Sequence, residues 1–63
     1  MEKMWIAREK NGDLWLFHEK PIYDEFLQEW VTENAFEFGF LPNYYFSDVT
    51  FENSPREIEI NLK

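Results

Sequence analysis

Few side chains in this sequence could do chemistry. His18 is the single imidazole, and the chain has no cysteine. An acid–base role for His18 would need a nucleophile or carboxylate positioned beside it. It stands instead in the β-prone run Leu14-Trp15-Leu16-Phe17-His18-Glu19, where a lone histidine reads as structural or exposed. No serine has a nucleophile-elbow context. Gly12 and Gly39 are the only glycines, too few for a phosphate-cradling loop. Asn11-Gly12-Asp13 lacks the acid ladder of a calcium loop. No cluster of His and Cys has zinc spacing. Glu57 and Glu59 are alternate residues of an exposed strand face. The sequence therefore reads as a non-enzyme, with no catalytic, metal or cofactor-binding residue expected.

What remains is charge and aromatic surface. The net charge is −7 in 63 residues. Residues 1–20 balance four acids against four bases. Between Lys20 and Arg56 there is no base but seven acids: Asp24, Glu25, Glu29, Glu33, Glu37, Asp48 and Glu52. Such a surface repels phosphate backbones, so direct nucleic-acid binding is not expected. It attracts a basic partner instead. The stretch FEFGFLPNYYF, Phe36 to Phe46, carries six aromatics in eleven residues and no base. Without a disulfide, a chain of this size must build its core from side chains alone, so most of these rings are expected inside. The candidate interaction surface is Trp15, Tyr44, Tyr45, Glu25, Glu29 and Glu33.

The elements that must position these residues form one small domain over 1–63. Asn11-Gly12 between two β-prone runs predicts a hairpin, strands 4–10 and 13–19, with a type I′ turn holding both residues at positive φ. Trp5, Ala7 and Glu9 share one face of the first strand, and Met4, Ile6 and Arg8 the other. Trp15 and Phe17 oppose Leu14 and Leu16 in the same way. Apolar residues on both faces call for a second buried surface. Pro21 ends the second strand. Ile22, Tyr23, Phe26, Leu27, Trp30 and Val31 recur at helical spacing and predict a short helix over 22–31. Repulsion among Glu25, Glu29 and Glu33 works against it, and a loop leading into a strand at Trp30 is the competitor.

Phe36, Phe38 and Phe40 alternate with Glu37 and Gly39, which predicts a strand over 35–41 with its phenylalanines on one face. Phe38 is the expected centre of the core, packed against Ile58 and Ile60. Pro42 stops that strand, and Asn43–Phe46 is a single helical turn or tight turn. Val49–Phe51 is a short extended segment, and Glu52–Pro55 a turn. Strict alternation over 56–62 gives a last strand with Ile58, Ile60 and Leu62 facing in. The expected class is α+β and β-rich: a small antiparallel sheet with one short helix.

The hairpin WIAREKNGDLWLFHEKP, followed by LPNYYFSDVTFENSPREIEINL, resembles short uncharacterised proteins of gut Bacteroidetes and their mobile elements. Their shared pattern is an Ala-Arg hairpin around an acidic-Gly turn, then Lys-Pro, Leu-Pro, Val-Thr-Phe, Ser-Pro and a final strand. The match runs over Trp5–Pro21 and Leu41–Leu62. In those proteins the region matching Tyr23–Glu29 is shorter and richer in glycine. The resemblance implies a small β-rich fold and no known activity.

No signal peptide or membrane span is visible, so a soluble cytoplasmic protein is expected. Absent cysteine agrees with a reducing compartment. The leading functional reading is a small acidic protein-interaction or accessory module, its partner another protein or a second copy in a homodimer. The alternative is an acidic nucleic-acid mimic that blocks a basic site on a partner protein. Salt separates the two: a mimic's affinity falls steeply with salt, and an aromatic interface holds.

Overall fold

The computed structural model describes residues 2–33 and 38–60. Six strands run through them: β1 Glu2–Arg8, β2 Leu14–Phe17, β3 Ile22–Asp24, β4 Glu29–Val31, β5 Phe38–Leu41 and β6 Arg56–Ile60. Four form an antiparallel sheet in the order β5-β2-β1-β6. The other two, β3 and β4, form a separate antiparallel ribbon.

The first hairpin forms where the sequence placed it, with Arg8 opposite Leu14. Its turn is different. The Gly12 N–H donates to the Glu9 carbonyl at 3.0 Å, and the Glu9 N–H to the Asp13 carbonyl at 2.8 Å. Gly12 has a φ of +99°, whereas Asn11 stays at negative φ. This is a three-residue loop closed by a glycine bulge, not a type I′ turn. The Asn11 side chain explains the change: its Oδ1 accepts the Asp13 N–H at 3.0 Å, a local bond available without positive φ.

The helix expected over 22–31 is absent, and so is the α+β class: among the described residues there is no helix. Residues 22–31 fold as the β3–β4 hairpin, with Ile22 opposite Val31, Tyr23 opposite Trp30 and Asp24 opposite Glu29. Three local causes favour it. Ile22, Tyr23, Trp30 and Val31 have high strand propensity. The Asp24 carboxylate accepts the N–H groups of Phe26 and Leu27, at 2.9 and 3.1 Å, and so closes the turn. Gln28 takes the left-handed conformation, φ 56°, that completes a four-residue loop. The helical spacing of apolar residues was coincidental, because Phe26 at the turn is 93% exposed.

Cross-strand partners share a sheet face, and this assigns the core. One face carries Met4, Ile6, Arg8, Leu14, Leu16, Leu41 and Ile58. Ile6 and Leu14 are buried there with Val49, and Leu16, Leu41 and Ile58 pack around them. Val49 comes from the long connection 42–55, which crosses this face. The other face carries Trp5, Ala7, Trp15, Phe17 and Phe40, and the β3–β4 hairpin leans on part of it. The second buried surface that the sequence demanded is thus supplied within the chain.

The expected core does not hold its place. β5 and β6 lie at opposite edges of the sheet, and Phe38 is in register with Phe17 of β2, so the strand expected over 35–41 is not the neighbour of the last strand. Phe40 is 57% exposed, its ring edge-on to Trp15 at 5.1 Å. Phe36 and the Phe38 side chain lie outside the described residues, as do the ends proposed for the strands over 35–37 and 61–62. Turns run over residues 43–48, beyond the single helical or tight turn expected at Asn43–Phe46, whereas the extended segment expected at 49–51 runs into a turn at Phe51.

Candidate functional site

Arg8 organises the surface. It ends β1 on the core face and is only 9% exposed. Its five guanidinium N–H groups meet five backbone carbonyls. Nε donates to Val49 at 2.8 Å. Nη1 donates to Gly12 at 2.9 Å and Asn43 at 2.8 Å. Nη2 donates to Tyr45 and Phe46, both at 3.0 Å. Every donor is used, so Arg8 has nothing left for an anionic ligand. Its charge is spent on holding the 42–49 connection against the sheet. The Arg8 backbone N–H also reaches the Ser54 hydroxyl at 2.9 Å, and that hydroxyl donates to the Thr50 carbonyl.

The clamped segment presents rings to solvent. Tyr44 is 78% exposed, and Tyr45 and Phe46 are exposed as well. Tyr44 meets Tyr45 edge-on at 5.2 Å, and Tyr45 meets Phe46 at 6.5 Å. Phe46 has a φ of 50°, a left-handed conformation that costs a bulky residue about 1–2 kcal/mol. The Arg8 bonds to the Tyr45 and Phe46 carbonyls hold it there. Beyond this ridge, Arg56 donates to Asp48 at 2.6 Å and holds that exposed carboxyl below its ordinary pKa.

A second feature lies between the sheet and the ribbon. Trp15 and Phe17 form one wall of a cavity of about 200 Å³, and Trp30, Val31 and Thr32 form the other. Glu9 and Glu29 supply its carboxylates. Trp30 is fixed by its indole N–H, which donates to the Arg8 carbonyl at 3.0 Å. It also belongs to a ring cluster, 5.3 Å from Tyr23 and 5.9 Å from Phe51, with Tyr23 and Phe51 edge-on at 4.9 Å. The Lys10 ammonium sits 5.5 Å from the Tyr23 ring centre and 5.2 Å from that of Phe51.

Glu9 is the unusual member. Its Oε1 is buried with no hydrogen-bond donor. Burial pushes its carboxyl above the ordinary glutamate pKa, with Glu29 and Asp13 adding repulsion and the Trp30 backbone N–H opposing both. Among the described residues the one other buried side-chain polar atom without a partner is the Tyr23 hydroxyl.

The six residues singled out from sequence are scattered by this fold. Tyr44 and Tyr45 stand together on the ridge. Trp15 is half-buried on the cavity wall, and Glu29 is at its rim. Glu25 lies in the β3–β4 turn, and Glu33 lies beyond β4. On a helix the three glutamates would have formed one stripe; on a hairpin they do not. Sequence reasoning missed Arg8 and Glu9. One signal was available for Arg8: alternation puts it on the apolar face with Met4 and Ile6, and a charge placed there must find partners.

Among the described residues no group of His, Cys, Asp or Glu is arranged to hold a metal ion. No helix among them is long and apolar enough to cross a membrane. Family models, curated proteins and solved structures give no match to the chain. Any functional reading rests on the ridge and the cavity.

Proposed function

We propose that this protein is a small non-catalytic interaction module whose contact surface is the ridge Tyr44-Tyr45-Phe46. The observation that carries this is the exposure of three consecutive rings on a connection whose backbone Arg8 clamps through four hydrogen bonds, to Asn43, Tyr45, Phe46 and Val49. Exposed rings on a mobile loop would lose entropy on binding; here that ordering is already done. Tyrosine suits such a surface because it offers large area with few rotatable bonds and a hydroxyl that tolerates water. A left-handed phenylalanine held in place by other contacts also fits a functional site. The acidic surroundings favour a partner with basic groups around an apolar patch. Absent cysteine supports a cytoplasmic setting for the encounter.

The test is photo-crosslinking from a benzophenone side chain at position 44, in lysate of the native host. The reading expects a defined product that excess unlabelled protein competes away. The double variant Tyr45→Ala/Phe46→Ala should lose it while keeping native amide dispersion. A product pattern unchanged by competitor and by the double variant would refute the ridge.

The mimic reading has one feature in its favour. Asp24 and Glu29 stand directly opposite each other in the ribbon, with Glu25 beside them in the turn. Capture that disappears steeply between low and moderate salt, and that ignores the ridge substitutions, would favour it.

A further inference from the structure

We propose that the cavity between Trp15 and Trp30 is a binding site for an alkylammonium group, and that its occupant is a lysine side chain of the partner protein. The lysine source rests on the interaction reading above; the ammonium chemistry does not.

The cavity combines two kinds of wall that together select this group. Trp15, Phe17, Trp30 and Val31 offer apolar and aromatic surface for a methylene chain. Tryptophan is also the strongest partner for a cation over a ring face. Glu9 then supplies the charge. Its side chain lines the cavity, and among the described residues the only ion pair is Arg56 with Asp48. A carboxylate beside aromatic walls accepts charge-assisted hydrogen bonds from an incoming ammonium. Glu29 lines the same cavity and adds a second negative charge. An anion would meet two carboxylates here, and a neutral apolar group would gain nothing from them.

The chain's own lysines already show the taste of these surfaces. Lys10 lies over Tyr23 and Phe51 on the neighbouring ring cluster, and Lys20 lies 5.5 Å over Trp5. Neither lines the Trp15–Trp30 cavity, which combines aromatic walls with a carboxylate. Size also agrees. A butylammonium group has five heavy atoms and needs roughly 150 Å³ at the volume share of liquid water. The cavity provides about 200 Å³.

The experiment is an NMR titration of the whole protein at neutral pH with N-acetyl-lysine N-methylamide. The matched norleucine amide, with the same four-carbon chain and no ammonium, serves as the uncharged probe. Saturable shifts of the Trp15 and Trp30 indole N–H signals are expected, with a dissociation constant on the order of 10 mM. Glu9→Gln should keep the fold and weaken the lysine probe about tenfold or more. Binding should also fade as pH drops and Glu9 is protonated. Equal binding of the norleucine probe, undiminished binding to Glu9→Gln, or no saturable shift would each overturn the site. Tyr45→Ala/Phe46→Ala should bind the lysine probe as the parent protein does. A parent protein that titrates with the lysine probe but gives no competable crosslink would sink the ridge alone, and one that gives the crosslink but no lysine titration would sink the cavity alone.

Discussion

At the scale of single residues, two charges near the end of β1 do opposite things. Arg8 is buried and fully paired, by carbonyls rather than by an acid. Lysine keeps the charge but has three donors and no planar fork. Arg8→Lys should therefore cost about 3 kcal/mol or more, because at least two buried carbonyls lose their partners. A urea midpoint close to that of the parent would show the clamp to be dispensable. Glu9 is the reverse case, a carboxylate that folding makes harder to ionise. Its native pKa lies above its unfolded one, so between the two the native state binds more protons. Stability should then fall as pH rises through that window and level off above it. Glu9→Gln should flatten this decline and leave the protein at least as stable at neutral pH. Urea melts from below the ordinary glutamate pKa up to neutral pH check both. A steeper decline in the variant would contradict the assignment.

At the scale of elements, turn chemistry decided more than periodicity did. The Asn11-Gly12 pair announced a hairpin, and a hairpin formed. Its exact turn type was not announced, because Asn-Gly serves both a two-residue loop and a three-residue loop with a glycine bulge. The two differ only in whether Asn11 also takes positive φ. Gly12 does so in either case, at +99°, with open space around its Cα. Gly12→Val should thus destabilise through backbone strain alone, by about 1 kcal/mol or more. An unchanged urea midpoint would argue against the bulge. In residues 22–31 the apolar spacing matched a helix, yet the turn bonds of Asp24 and the strand propensity of the flanks prevailed. Ten residues are too few for a helix to stand on propensity, so packing arbitrates. The ribbon brings Trp30 and Val31 onto the face that carries Trp15 and Phe17, and leaves Ile22, Phe26 and Leu27 outside.

At the scale of the whole molecule, an acidic chain is held by apolar packing and by the buried cation of Arg8. Its extents of 38 × 26 × 17 Å describe a thin body, with a sheet flanked by a ribbon on one face and a clamped connection on the other. A net charge of −7 with one exposed ion pair among the described residues leaves repulsion in excess. Screening should relieve it, so the melting temperature should rise between low salt and about 0.15 M NaCl. A fall would mean that favourable ion pairs outweigh the crowding of acids.

The amino-acid sequence by itself determined the first hairpin, the turns after Pro42 and before Pro55, and the alternating last strand. Each is set by neighbours within a few residues: a glycine at positive φ, a proline without a donor, an alternation of period two. It also determined that both faces of the first hairpin needed cover. Only the tertiary structure decided what covers them. Strand order is a choice among distant pairings, and it put β5 and β6 on opposite edges rather than side by side. The role of Arg8 depends on carbonyls of residues 43, 45, 46 and 49, more than thirty positions away, and no local pattern encodes that meeting. The cavity is of the same kind. Glu9, Trp15 and Trp30 become neighbours only once a ribbon closes on a sheet, and burial then makes an ordinary glutamate a site.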